Sequence, residues 1–209
     1  MLGKLLVISG LSAAGKGTIA KELIIRHDDF VLSISATTRE KRGNEIDGED
    51  YFFVSKDKFE DMIKKDELIE YACYVNNFYG TPKKYVEDKL KSGKNVILEI
   101  EMQGALQIKK IYNDAVLIFF IPKDAKTQRE RLINRKRESL EQIEERIKQA
   151  IIDAEYARQY DYIIVNDDIE KAIQDVESVV KGTYDKSNNE KNIKILDQII
   201  NDIKEGKNV

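Results

Sequence analysis

The sequence predicts an α/β fold around a parallel sheet, and three observations carry that prediction. Short apolar runs rich in branched residues recur at 4–9, 95–100, 115–121 and 162–165, as expected of strands buried on both faces. Stretches with helical spacing fall between and after them, at 18–26, 103–112, 126–135, 140–158 and 169–181. Strand then helix, repeated along a chain, is the order that builds a parallel sheet.

Taken in order, the first strand runs into a loop of Gly, Ser and Ala, and the helix after it turns Ile19, Leu23 and Ala20 inward. The stretch 35–83 breaks the rhythm. It holds turn signals (Arg42-Gly43-Asn44 and Asp47-Gly48), a short aromatic strand at 51–54 and tyrosines at 71, 74 and 79. A small mixed α/β insert is expected there. In the helix at 169–181, Ile169, Ala172, Ile173, Val176 and Val180 form one apolar stripe. Residues 184–192 are polar and read as a linker. Beyond them Ile193, Leu196, Ile200 and Ile203 share a helical face, which suits docking on the body or on a second subunit. Monomer and homodimer are both compatible with that tail.

Composition excludes several classes of chemistry. The 209 residues suffice for one substantial core with small inserts. The formal net charge of −3, with Lys and Glu interspersed, lacks the basic excess of a nucleic-acid binder. One cysteine, Cys73, rules out an internal disulfide framework or a Cys-rich zinc site, and it reads as a small buried residue. One histidine, His27, argues against a His-based metal cluster or catalytic triad. No run is long and apolar enough for a membrane span and no signal-peptide pattern follows the N-terminus, so a soluble, cytoplasmic protein is expected.

The strongest chemical signal is Gly10-Leu-Ser-Ala-Ala-Gly15-Lys16-Gly17-Thr18, directly after the first strand. It fits a phosphate-binding loop between strand and helix. Glycines allow the tight turn and let backbone N–H groups converge on phosphate oxygens, and the helix N-terminus adds its dipole. Gly10, Ser12, Ala13, Ala14, Gly15, Lys16, Gly17 and Thr18 are the candidate ATP-phosphate contacts, with Lys16 as a mobile charge for the β- and γ-phosphates. Gly17 stands where the usual pattern has the hydroxyl that ligates Mg²⁺. Thr18 is therefore expected on a phosphate, and Mg²⁺ is expected to be held mainly by phosphates and water.

A second group of motifs lies further on: Ser33-Ile-Ser35-Ala-Thr-Thr-Arg39-Glu-Lys-Arg42-Gly43, then Asp47-Gly-Glu-Asp-Tyr51-Phe-Phe-Val54. With them go Glu70, Tyr79-Gly-Thr81, Glu99-Ile-Glu101-Met-Gln-Gly104 and Val165-Asn-Asp-Asp168. Together, from about Lys4 to Tyr184, they resemble the guanylate kinase family. The resemblance implies a P-loop NTPase core with helices on both faces of its sheet (residues 1–34, 84–124 and 147–183). It also implies a GMP-binding insert (35–83) and a helical lid (125–146), leaving 184–209 as linker and C-terminal helix. The implied activity is Mg²⁺-assisted transfer of the ATP γ-phosphate to GMP or dGMP with lid closure, in purine nucleotide metabolism. Its partners would be ATP and GMP, with no nucleic acid and no membrane.

The residue chemistry suits that reading. Arg39 and Arg42, with the Tyr51 and Tyr79 hydroxyls, can grip a monophosphate by charge-assisted hydrogen bonds, and Ser35 is the family's small polar contact. Guanine offers N1–H and a 2-amino group as donors and adenine an acceptor at N1, so the acceptor-only carboxylates of Glu70 and Glu101 favour guanine. Thr81 stands where the family often has Ser, for a contact at O6. Glu99 ends an apolar run, where it can reach Mg²⁺ or its waters. Arg131 and Arg135, one helical turn apart, and Arg146 match the family's lid arginines; Arg137 reads as a lid-surface charge. Asn166 and Asp167 resemble the adenine-side loop.

Other classes fit less of the chain. A catalytically silent module that binds protein partners would have no need of the loop with Lys16. A kinase acting on another phosphorylated acceptor, such as a ribose bisphosphate, would not need Glu70 and Glu101 together with Ser35 and Thr81. An adenylate kinase shares the Gly-Lys-Gly-Thr spelling but not the acceptor motifs.

Overall fold

The computed structural model describes residues 2–74, 76–136 and 138–207, so Arg137 lies outside the described residues, as does the side chain of Tyr74. The chain divides into two compact units: Met1–Leu6 with His27–Val116, and Val7–Arg26 with Leu117–Val209. Strand β1 (Leu5–Gly10) runs from the first into the second.

In the first unit β2 (Phe30–Leu32) pairs in parallel with β7 (Asn95–Glu99), Val31 opposite Val96, and the sheet order there is β2-β7-β1. Asn95 ties the start of β1 in place, its Oδ1 accepting from Lys4 N at 3.0 Å. A separate sheet of order β4-β3-β6-β5 is made from β3 (Ala36–Thr37), β4 (Phe52–Phe53), β5 (Leu68–Tyr74) and β6 (Asn77–Pro82). It has its own core, Ala36, Phe59, Met62 and Leu68, into which α2 (Lys56–Lys64) inserts the stacked Phe59 against Phe78. Ser55 starts α2 by accepting from Lys58 N. The unit is completed by α3 (Lys83–Lys91) and α4 (Met102–Ile111).

In the second unit the end of β1 lies beside β8 (Val116–Ile121), which pairs in parallel with β9 (Tyr162–Val165). Leu6, Val7, Ile8 and the middle of β8 are fully buried, the continuous apolar runs of a sheet covered on both faces. Five helices belong here: α1 (Lys16–Arg26), α5 (Ala125–Asn134), α6 (Leu140–Ala157), α7 (Ile169–Lys181) and α8 (Lys186–Glu205). A capping box of Ser139 and Gln142 starts α6, and Asp124 caps α5 through Thr127 N at 2.6 Å. In α7 Ala172, Ile173, Val176 and Val179 are buried, the expected stripe displaced by one residue at its end.

Two expectations are corrected. The presumed linker 184–192 is helical from Lys186, because Asp185 caps α8 and two asparagines in its first turns find backbone partners. Cys73 is exposed rather than buried, since it lies on β5, the outer strand of its sheet. Among the described residues no helix is long and apolar enough to cross a membrane.

Candidate active site

The loop after β1 is held by its backbone and by three side chains from other elements. Gly10 approaches β8 so closely that an added Cβ would lie 2.2 Å from Phe120 O, and Leu11 N donates to that same oxygen. Gly15 has φ +86°, and its Cβ would meet Asn166 Nδ2 at 2.3 Å. Ala13 has φ +61° although it is not glycine, and it is buried. Ser12, Gly15, Lys16 and Gly17 are half-buried, while Ala14 is buried and Thr18 is exposed in the first turn of α1. Lys16 Nζ donates to Gly10 O at 2.9 Å, so the ammonium lies over the loop.

Asn166, expected beside the adenine, donates from Nδ2 to Ala14 O at 2.8 Å and so braces the loop. Its neighbour Asp167 is exposed and paired with Lys123 at 3.0 Å. Arg146 donates to Ser12 Oγ at 3.2 Å while its Nε is paired with Glu138 at 2.6 Å. Arg131 donates from Nη2 to Asn166 O, and its Nη1 is buried with no hydrogen-bond partner among the described residues. A buried guanidinium nitrogen left open in this way is suited to an anion. Arg135 is the exposed C-cap of α5. One brace was missed from the sequence: Gln128, fully buried, donates from Nε2 to Ser12 O at 3.2 Å. The i,i+4 relation of Gln128 to buried Leu132 was the available signal for its inward position.

The residues expected at the acceptor lie in the first unit, on the four-stranded sheet and around it. Arg39 is almost wholly buried and points its guanidinium over the rings of Tyr51 (5.3 Å) and Phe53 (5.8 Å). Tyr51 in turn meets the Tyr79 ring edge-on at 6.1 Å. Glu45 is a second residue not foreseen from the sequence. One oxygen pairs with Arg39 Nη2 at 2.6 Å and the other accepts from Arg42 N at 2.8 Å. Those two bonds hold the Glu45 carboxyl below its usual range. The same Glu45 bond, with help from Tyr79, keeps Arg39 more firmly protonated than an ordinary arginine despite its burial. The signal available was an acid three residues after Arg42 in a Gly-Asn turn. Arg42 itself is exposed, and Ser35 is half-buried with its carbonyl accepting from Phe52 N.

Glu70 on β5 is half-buried, and Thr81 on β6 is fully buried with its hydroxyl 2.7 Å from Glu70 Oε1. Burial pushes the Glu70 carboxyl up, and the Thr81 bond partly offsets that. Against an ionised carboxylate the Thr81 hydroxyl must donate. It then has only lone pairs left, whereas guanine O6 needs a donor, so contact at O6 requires the hydroxyl to turn away from Glu70. Gly104, in the first turn of α4, leaves room for the carboxylate: a Cβ there would lie 3.2 Å from Glu70 Oε2. Glu101 is exposed at the N-cap of α4, and Glu99 is exposed at the end of β7 after four buried residues.

A glycine-built loop between a buried strand and a helix N-terminus, with a lysine folded over it and an arginine reaching it, defines a P-loop nucleotide-binding fold. Comparison with known proteins narrows the class. A family model described as guanylate kinase matches residues 2–183. The guanylate kinase of Clostridioides difficile is 45% identical over 191 residues, covering 91% of this chain and 93% of the relative. That of Oceanobacillus iheyensis is 44% identical over 182 residues, covering 87% and 88%. The crystal structure of guanylate kinase from Anaplasma phagocytophilum superimposes with a TM-score of 0.66 at 32% identity, covering 87% and 86% of the two chains. The chain belongs to the guanylate kinase family, a family of nucleoside monophosphate kinases.

Proposed function

We propose that this chain carries out the reaction of its family, transfer of the ATP γ-phosphoryl group to GMP or dGMP, by the residues described above. The observation that carries the acceptor assignment is the Glu70–Thr81 couple on the sheet that also holds Tyr79, with Arg39 and Tyr51 in the segments that flank its strands. Carboxylate and phosphate clamp together suit a purine monophosphate with donors on its base edge.

In this reading the loop from Gly10 to Thr18 wraps the ATP phosphates, and Lys16 leaves the Gly10 carbonyl for the β- and γ-oxygens. Arg131 offers its open nitrogen to the transferring group. Residues 125–146 act as the lid and bring Arg135 and Arg146 to the same charge, excluding water so that GMP rather than water is phosphorylated. Arg39, Arg42, Tyr51 and Tyr79 fix the GMP phosphate, Glu45 holds the two arginines in register, and Ser35, Glu70, Thr81 and Glu101 read the acceptor. Residues 35–83 form the GMP-binding insert on the core of 1–34, 84–124 and 147–183. Asn166 and Asp167 contribute to the ATP side, the first through the loop it supports.

Among the described residues no three His, Cys, Asp or Glu side chains gather to hold a metal. The exposed hydroxyl of Thr18 and the exposed carboxylate of Glu99 are hard oxygen donors, which suit Mg²⁺ that keeps phosphate and water ligands. The donor chemistry therefore fits Mg²⁺ carried in with ATP, which would neutralise charge on the β- and γ-phosphates. Phosphoryl transfer otherwise asks the protein for positioning and positive charge. A cytoplasmic enzyme acting on small molecules, as monomer or homodimer, is the corresponding cellular picture.

A coupled ADP-release assay with ATP and Mg²⁺, run separately with GMP, AMP, CMP, UMP and ribose bisphosphate, tests the reading. ADP release with GMP alone is expected. Release with another acceptor would discard the guanine site while keeping the loop.

A further inference from the structure

The family match ends at residue 183, and α8 begins three residues later, outside the matched span. Its attachments are specific. Asn189 Oδ1 accepts from Ile163 N at 2.6 Å and Asn192 Nδ2 donates to Ile163 O at 2.7 Å. These two side chains close the open edge of β9, the last strand of its sheet, as a neighbouring strand would. Further along, Leu196, Ile199 and Ile200 are buried, and Asp197 pairs with Arg158 at the C-cap of α6.

The last turns of α8 reach the ATP side. Ile203 packs against a cluster of four buried residues: Ala13 of the phosphate loop, Leu132 of α5, and Ile143 and Ile147 of α6. Ala13 is the loop residue held at φ +61° without being glycine, a conformation that surrounding packing must maintain. Helices α5 and α6 carry Arg131, Arg135 and Arg146. One side chain on α8 thus packs against the cluster that joins the loop's strained residue to both arginine-bearing helices, while the other end of α8 is fastened to β9.

We propose that α8 is a brace which sets the phosphate loop and the arginine-bearing helices at their working distance, with Ile203 as a positioning residue for ATP binding and transfer. The proposal rests on the assignment of the loop and arginines to the ATP side. It gives α8 a part in catalysis although none of its residues belongs to the loop or to the arginine set. It also separates the two substrates: disturbing Ile203 acts on ATP and turnover, and leaves GMP recognition in the four-stranded sheet alone.

The test uses the full chain with Ile203→Ala, Ile203→Val and, on the exposed face of α8, Gln198→Ala. Steady-state constants for both substrates, ATP affinity by isothermal titration, and folded fraction by circular dichroism are measured together. Ile203→Ala is expected to weaken ATP binding and lower kcat/KM for ATP by about tenfold, with KM for GMP within about twofold of the parent. Ile203→Val should fall in between, and it carries the test if the alanine variant does not fold. Gln198→Ala should leave all constants unchanged. Parental ATP affinity and turnover in folded Ile203→Ala would overturn the brace, as would equal losses for both substrates, the mark of a merely structural role. The assignment of function fails separately: a parent inactive with every acceptor would refute it, while ATP affinity would still judge the brace.

Discussion

The phosphate loop and the proposed acceptor site are built on opposite principles. The loop is nine consecutive residues whose shape is a backbone property: Gly10 must admit Phe120 O, Gly15 must take a positive φ, and Lys16 folds over its own turn. Its braces, Gln128, Arg146 and Asn166, bond to its carbonyls and one hydroxyl. The proposed acceptor site is dispersed from Ser35 to Glu101, and its shape is set largely by side chains: Arg39 over two rings, Glu45 on the Arg39 guanidinium and the Arg42 backbone N–H, Thr81 on Glu70. Damage to a backbone device is expected to be all or none, and damage to a side-chain device graded.

The largest effect should come from the loop. Gly15→Ala places a Cβ 2.3 Å from Asn166 Nδ2 on a backbone that alanine resists. Turnover with ATP and GMP should fall by about a hundredfold or more, the scale for losing preorganised donors at a reacting oxyanion. Combining it with Asn166→Ala removes the clash but not the strain at φ +86°, and should restore only part of the loss. Full recovery in the double variant would show that crowding, not backbone conformation, sets the loop.

Next is Arg135→Ala. The side chain is exposed at the end of α5, so stability should barely change. Turnover should fall by about a hundredfold while KM for GMP moves little, the pattern of an interaction made only in the transition state. A defect confined to GMP binding would move Arg135 out of the lid and across to the acceptor side of the comparison.

How much was legible in the sequence follows the same division. The loop could be read from spacing alone, because a strand, a glycine pattern and a helix are contiguous. The parallel strands β1, β7, β8 and β9 were legible too, since strands buried on both faces are continuous apolar runs. Strand β2, three residues long, gave no such run. The acceptor residues were found only through their resemblance to a family, because Arg39, Glu70 and Thr81 share no local pattern. Glu45 and Gln128 escaped for a related reason: each supports another part of the site through a polar contact distant in sequence or hidden in a turn, and a polar residue at an inward position reads as surface. The start of α8 was hidden by its asparagines, which read as linker but are partners for Ile163.

A smaller, graded effect is expected from Glu45→Gln. The amide keeps the shape but removes the charge beside Arg39 and turns an acceptor into a donor at one of two contacts. KM for GMP should rise by about tenfold, near the energy of one charge-assisted hydrogen bond, with kcat and the ATP constants unchanged. Parallel loss of kcat would mean that the clamp acts beyond binding and would weaken the contrast between the two regions.

The gentlest probe is pH, acting on Glu70. Burial raises its pKa, so the folded state favours the protonated form more than the unfolded chain does. Its contribution to stability is therefore full at acidic pH and is lost as pH rises through the folded pKa. Glu70→Gln, which carries no charge, should melt at a higher temperature than the parent at neutral pH, and the gap should close on acidification. Recognition runs the other way, because guanine donors need the ionised carboxylate. In the parent, kcat/KM for GMP should decline on acidification with a midpoint above the ordinary carboxylate range, while ATP binding in the loop stays level. A midpoint at the ordinary value, or a loss shared equally by ATP, would detach the base edge from Glu70 and leave Glu101 to read it.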